Sequence, residues 1–265
     1  MGSITENLKL YLHYAAAAVR GQLTHKVSFF LTLLGQFLAS FSAFAGISFL
    51  LTRFRSVGGF SLEEILITFS VTLISFSLAE CFFRGFDVFS TLLADGSFDR
   101  MLLRPRGLIL QILGSRMELT RFGRLLQAML ILVYALSRTQ LAWTPAKVLV
   151  FLLMIISGVI LYACLFTIQA ALTFFTTEGL EVMNILTDGS REFGAYPYVI
   201  YGENLLRLLT FVVPLALVQY YPLLWVLGRS DNAVLALTPL FAFLFIIPTA
   251  LIWRAGVRRY ASIGS

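Results

Sequence analysis

Gly96-Ser97-Phe98-Asp99-Arg100-Met101-Leu102-Leu103-Arg104-Pro105-Arg106 is a charged, turn-containing island between two long apolar runs. Pro105 blocks an unbroken helix and disfavours helical geometry at Arg104. The dipeptide Asp95-Gly96 just before the island is a turn signal. The segment therefore reads as a short transverse elbow joining two apolar helices. Its Asp–Arg array, with Phe98 and Leu102 alongside, suits docking into a groove of a soluble partner. The plain alternative is a basic loop whose arginines reach lipid headgroups.

The surroundings decide between a soluble and a membrane fold. Of 265 residues, 58% are hydrophobic and 13% charged, whereas a soluble domain carries charge on roughly a quarter of its residues. The charges sit in clusters separated by apolar runs, the pattern of an all-α integral membrane protein. The net charge of +6 does not imply nucleic-acid binding, because the basic residues alternate with apolar runs and form no continuous stripe. Cys81 and Cys164 lie in or beside apolar runs and read as small buried hydrophobes. His13 and His25 have no Cys, Asp or Glu constellation around them that would hold zinc.

Residues 1–26 read as an amphipathic connecting helix lying along the cytoplasmic interface, with Leu8, Tyr11, Leu12, Ala15 and Ala18 at helical spacing. No cleavable signal peptide is expected, so the first span is a retained anchor. A six-span domain covers 27–253, with spans at 27–51, 62–83, 113–136, 148–175, 205–227 and 233–253, and 254–265 form a basic tail. With both termini cytoplasmic, about fifteen Lys and Arg fall inside and about five outside, as the positive-inside rule requires. Two prolines, Pro214 and Pro222, interrupt the fifth span, which is either kinked or ends early in a short helix dipping in from the outer face.

The charged residues near span ends are the candidate inner-gate or interface groups. Glu80 and Arg84, four apart, share a helix face and can pair; a proton-coupled carboxylate at Glu80 is the sharper alternative. Asp87 follows. A second polar region carries Glu178, Glu181, Asp188, Arg191, Glu192 and Tyr196, and reads as an interfacial helix that could line a pathway mouth or touch a partner. The sequence does not choose. The only lysines, Lys9, Lys26 and Lys147, lie outside any glycine-rich phosphate cradle, so if ATP drives this protein another chain binds it.

Four stretches in order carry a resemblance: Phe83-Arg84-Gly85-Phe86-Asp87, Gly96 to Pro105, Arg191-Glu192-Phe193 with Tyr196-Pro197, and Pro214 to Pro222. Between these spans they resemble bacterial ABC-2 type transporter permeases. The resemblance implies the non-catalytic membrane half of an exporter in a bacterial inner membrane. ATP and Mg²⁺ would be held by a separate ABC ATPase, and a second permease chain, identical or different, would complete the pathway. It assigns the ATPase-coupling role to Asp95, Gly96, Phe98, Asp99, Arg100, Arg104 and Pro105. Cargo would be amphiphilic: a drug, a lipid-like molecule or a peptide. The short gap between the fifth and sixth spans leaves no room for the large external domain of some relatives. A proton-coupled secondary transporter and a membrane-embedded lipid-modifying enzyme are the competing expectations.

Overall fold

The computed structural model describes residues 4–53, 56–139, 141–175, 180–194, 196 and 198–260. Among these the chain is helical, with α1 (Ile4–Leu23), α2 (Lys26–Arg53), α3 (Leu62–Asp87), α4 (Phe89–Ala94), α5 (Ser97–Leu102), α6 (Leu108–Ser115), α7 (Phe122–Arg138), α8 (Pro145–Leu172), α9 (Leu180–Phe193), α10 (Glu203–Phe211), α11 (Tyr221–Val226), α12 (Val234–Leu237) and α13 (Phe241–Arg259). Among the described residues, five helical stretches are long and apolar enough to cross a membrane, and a sixth is a bent pair. At 1.5 Å per residue, α2, α3 and α8 each extend about 40 Å, beyond the ~30 Å hydrocarbon core.

The central element is α3. It is buried along nearly its whole length, with 89% of its spanning window buried, against 6% for α2. It packs most extensively on α7 and α8, while α13 covers α8 and α2 leans on α7. Glycines permit the closest approaches. A Cβ at Gly85 would fall inside the Ile112 carbonyl, and one at Gly123 inside the Leu33 carbonyl. Small residues at such crossings let membrane helices gain dispersion contact where lipid supplies no hydrophobic drive.

The remote end of α3 is well terminated. Ser61 and Glu64 form a reciprocal capping box. Arg229, after α11, closes on Glu64 with Nη2–Oε2 at 2.5 Å and Nε–Oε1 at 3.0 Å, and lies 4.1 Å over the Phe60 ring. The opposite end of the bundle carries α1, the α4–α5 elbow and the carboxyl ends of α8 and α13.

The structure corrects two expectations and gives the geometry of a third. The third span is not one helix from 113: α6 stops at Ser115, and Arg116 is extended at φ −150° and ψ 118°. Tertiary bonds hold the break. The Glu118 N–H donates to the Cys81 carbonyl at 3.2 Å. The Gln22 side chain of α1 donates to the Met117 carbonyl (2.5 Å) and accepts from the Leu119 N–H (3.1 Å).

The fifth span, expected to be kinked or to end early at its prolines, is bent. Glu203–Phe211 and Ala216–Val226 meet at 90°, and residues 216–220 form a π-helical turn. The Gln219 side-chain oxygen there accepts from Tyr198 (3.0 Å) and lies 3.1 Å from the Thr72 hydroxyl. Third, α9 does not skirt the bundle. The Gly194 carbonyl at its end accepts from Thr72 at 3.0 Å, ten residues and about 15 Å into α3.

Replacing Gly123 by Leu should drive α2 off α7 and cost about 1–3 kcal/mol by overpacking, read as a lowered unfolding temperature in mild detergent. Gly21→Ala is the control: nothing lies within 4 Å of its Cβ position, so this helical site should be unchanged or slightly stabilised.

Candidate functional site

Two groups of residues carry the chemistry, one at the elbow and one inside the bundle. At the elbow, Gly96 takes φ +68° between α4 and α5, a left-handed geometry that glycine adopts without penalty. Asp95 is exposed and accepts from the Ser97 N–H at 2.8 Å. Its hydrogen bonds to the Ser97 side chain and backbone hold its carboxyl below the usual carboxylate range. A depressed carboxylate pKa contributes stability above the unfolded value, so this turn is intact at neutral pH and loosens only as pH falls below about 4. Arg100 donates to Ser97 Oγ at 2.7 Å, and Arg104, Pro105 and Arg106 are exposed. Buried Gln111 ties the return of the elbow by donating to the Met101 (3.1 Å) and Arg106 (3.0 Å) carbonyls.

Phe98 points the other way. It is fully buried and packs edge-on against Phe89 (5.2 Å) and Tyr260 (4.9 Å), and at 5.4 Å from Phe174. Trp253 extends this aromatic block to Phe86 and Phe89. The Tyr260 hydroxyl donates to Asp99 Oδ1 at 2.9 Å. Phe98 and Asp99 thus fasten the elbow to the ends of α8 and α13. The outward face consists of Asp95, Arg100, Leu102, Leu103, Arg104 and Pro105.

Inside the bundle, Glu80 is 4% exposed and meets three guanidiniums. Arg124 Nη1 lies 2.6 Å from it, Arg121 3.4 Å and Arg84 3.7 Å. Arg84 also pairs with Asp87. Gln36 of α2 accepts from Arg121 (3.0 Å) and Arg124 (2.8 Å). The spacing of Glu80 and Arg84 signalled their pairing, but the closer partner is Arg124 from α7. Arg121 and Arg124 lie within the 113–136 run expected as the third span, where no neighbour marks Glu80 as their partner. Their three-residue spacing inside an apolar helix was the available signal, since cations at such depth require a partner.

Arg191 and Glu192 of the second polar region pair at 2.5 Å, and Asp188 lies 4.0 Å from Arg191. The Arg191 guanidinium also sits 5.3 Å over the Phe76 ring of α3. Tyr196 is half-buried against the core. Glu178 and Pro197 lie outside the described residues, as does the side chain of Glu181. Among the described residues the second polar region does not touch the elbow; Arg191 approaches the Glu80 cluster through Phe76.

Glu80→Gln should leave three arginines short of a carboxylate and cost about 3–5 kcal/mol. Glu80→Leu combined with Arg124→Leu should recover part of that loss, and a double-mutant cycle on unfolding temperature measures the coupling.

The family model described as ABC-2 family transporter protein matches residues 37–264. No curated protein matches, and no solved structure does.

Proposed function

Because the chain belongs to the ABC-2 family of transporter proteins, a family of membrane permeases, we propose that it is the membrane subunit of an exporter driven by a separate ABC ATPase through the α4–α5 elbow. The observation that carries this reading is the two-sidedness of the elbow. Its outer face offers charged groups and Leu103, 86% exposed, while its inner face is bolted to the bundle by Phe98 and Asp99. An element built this way receives a push on one side and delivers it to α8 and α13 on the other. The aromatic rings interdigitate as close-packed solids do, so displacement passes through them with little give.

ATP and Mg²⁺ are bound by the partner ATPase in this account. Nucleotide-dependent contacts on Asp95, Arg100, Arg104 and Pro105 would differ in energy between two permease conformations, and that difference shifts the population. The basic end, with Arg100, Arg104, Arg106, Arg258 and Arg259, faces the cytoplasm of a bacterial inner membrane by the positive-inside rule. Both termini lie on that side, with α1 along the membrane surface. A second permease chain would supply the other wall of the pathway, and weakly covered α2 gives it an apolar face. The cargo is an amphiphile leaving the cytoplasm or inner leaflet.

Affinity purification of the chain from native membranes in mild detergent should recover an ABC ATPase in near-stoichiometric amount. Combined replacement of Arg100, Arg104 and Leu103 by Ala should lose at least ten-fold of that recovery while leaving the unfolding temperature within a few degrees, because these side chains point outward. Recovery unchanged by the triple replacement contradicts the elbow as the docking element. Phe98→Ala should instead retain the ATPase and lose transport-coupled ATP turnover.

A further inference from the structure

We infer that the cavity between α2, α3, α7 and α9 binds the anionic head of a single-chain amphiphile, a carboxylate or phosphate, between Arg124 and Arg191. This deepens the exporter reading by naming its cargo class, and as a statement about cargo it rests on that reading.

The cavity measures about 310 Å³, at the small end of ligand sites, which suits one chain rather than a two-tailed lipid. Its walls are asymmetric. Gln36, Ser40, Arg124, Arg191 and Glu192 supply polar groups, and Ala39, Phe69 and Leu73 supply apolar ones. Phe69 lies seven residues along α3 from Phe76, the ring both guanidiniums approach, about 10 Å, so the apolar lining extends away from the arginines toward the Leu62 end of α3. A head held at the arginines would lay its tail along that wall.

The electrostatics favour an anion. Arg124 and Arg191 come from different helices, yet both approach one ring: their guanidinium carbons lie 5.9 Å and 5.3 Å from the Phe76 centroid. Two like charges brought together in a low dielectric repel, and each is held from its own side, Arg124 by Glu80 and Arg191 by Glu192. The one carboxylate on the cavity wall, Glu192, is engaged with Arg191 and 64% exposed at its side chain. A guanidinium carries five N–H donors. Arg124 directs one hydrogen bond to Glu80 and one to Gln36, and Arg191 directs Nε and Nη2 to the same Glu192 oxygen. Further donors on both remain for an entering oxyanion, which would relieve the repulsion as it binds.

The test is electron paramagnetic resonance on the full chain in phosphatidylcholine nanodiscs. The probes are spin-labelled stearate, the same labelled chain with a trimethylammonium head, and spin-labelled phosphatidylglycerol. The expected result is a preference of about tenfold for stearate over the cationic probe, the equivalent of one charge-assisted hydrogen bond, with stearate also exceeding phosphatidylglycerol. Arg191→Gln should bring the head-group preference near unity. Ser40→Leu, which fills the cavity without touching a charge, should abolish motionally restricted stearate.

Equal association of the stearate and cationic probes, or a preference surviving both variants, overturns the site. Stronger retention of phosphatidylglycerol than stearate overturns the single-chain assignment. Binding needs no ATPase, so the two readings fail separately. ATPase recovery without stearate preference removes only the cargo class, and preference without ATPase recovery supports the site and removes the transport role.

Discussion

A carboxylate shared by three guanidiniums inside an apolar bundle is the interaction on which the rest of this structure depends. Taking Glu80 and Arg124 out of water costs several kcal/mol per ion, and only their short contact, with Gln36 satisfying the next donor, offsets that cost. The geometry leaves little freedom. Arg121 must come from the turn that opens α7 and Arg124 from its first turn, Glu80 and Arg84 from one face of α3, and Gln36 from α2. The cluster therefore fixes the rotation and height of three spans at once, which nondirectional apolar packing against lipid cannot do. Gly85 and Gly123 then let α6 and α2 close around that frame.

The elbow inherits its rigidity from this frame. Arg84 pairs with Asp87 within the last turn of α3, and Gln169 of α8 donates to the Asp87 carbonyl at 3.4 Å, so the end of α3 is tied to α8 two residues before α4 begins. From there Phe89 and Phe98 enter a block of rings that includes Phe174, Trp253 and Tyr260. The charged elbow of the sequence is thus a thin outer layer on an aromatic foundation. On the proposed reading this division of labour is the mechanism: charges select the partner, and rings carry its motion into α8 and α13.

Much of the fold was legible because long apolar runs report burial in lipid directly. The 27–51 run lacks any charge and appears as α2; the elbow was marked by Asp95-Gly96 and Pro105, whose backbone effects are local. What was not legible depended on distant partners. Near Arg116 the Gly114-Ser115 pair weakens the helix, but the groups that hold the break open are distant: Gln22, about a hundred residues upstream, and the Cys81 carbonyl. Pro214 and Pro222 flagged an irregular fifth span, but its right-angle bend is held through Gln219 by Thr72 and Tyr198. Phe98 sits among charges in sequence and reads as exposed; three rings, Phe89, Phe174 and Tyr260, bury it. Gln36, a single amide in an apolar run, carries no local mark of its arginine partners.

The central claim is that the elbow and the ends of α8 and α13 move as one body. Spin labels at Arg100→Cys on the elbow and Arg258→Cys on α13, in the assembly purified with its ATPase, give the distance that decides it. The native Cys81 and Cys164 are buried, so the introduced thiols label selectively. The account predicts an unchanged distance between nucleotide-free and ATP-trapped states, while a label at Arg100→Cys paired with one at Lys26→Cys on α2 changes. A shift of the elbow relative to α13, with the α2 distance constant, would contradict it.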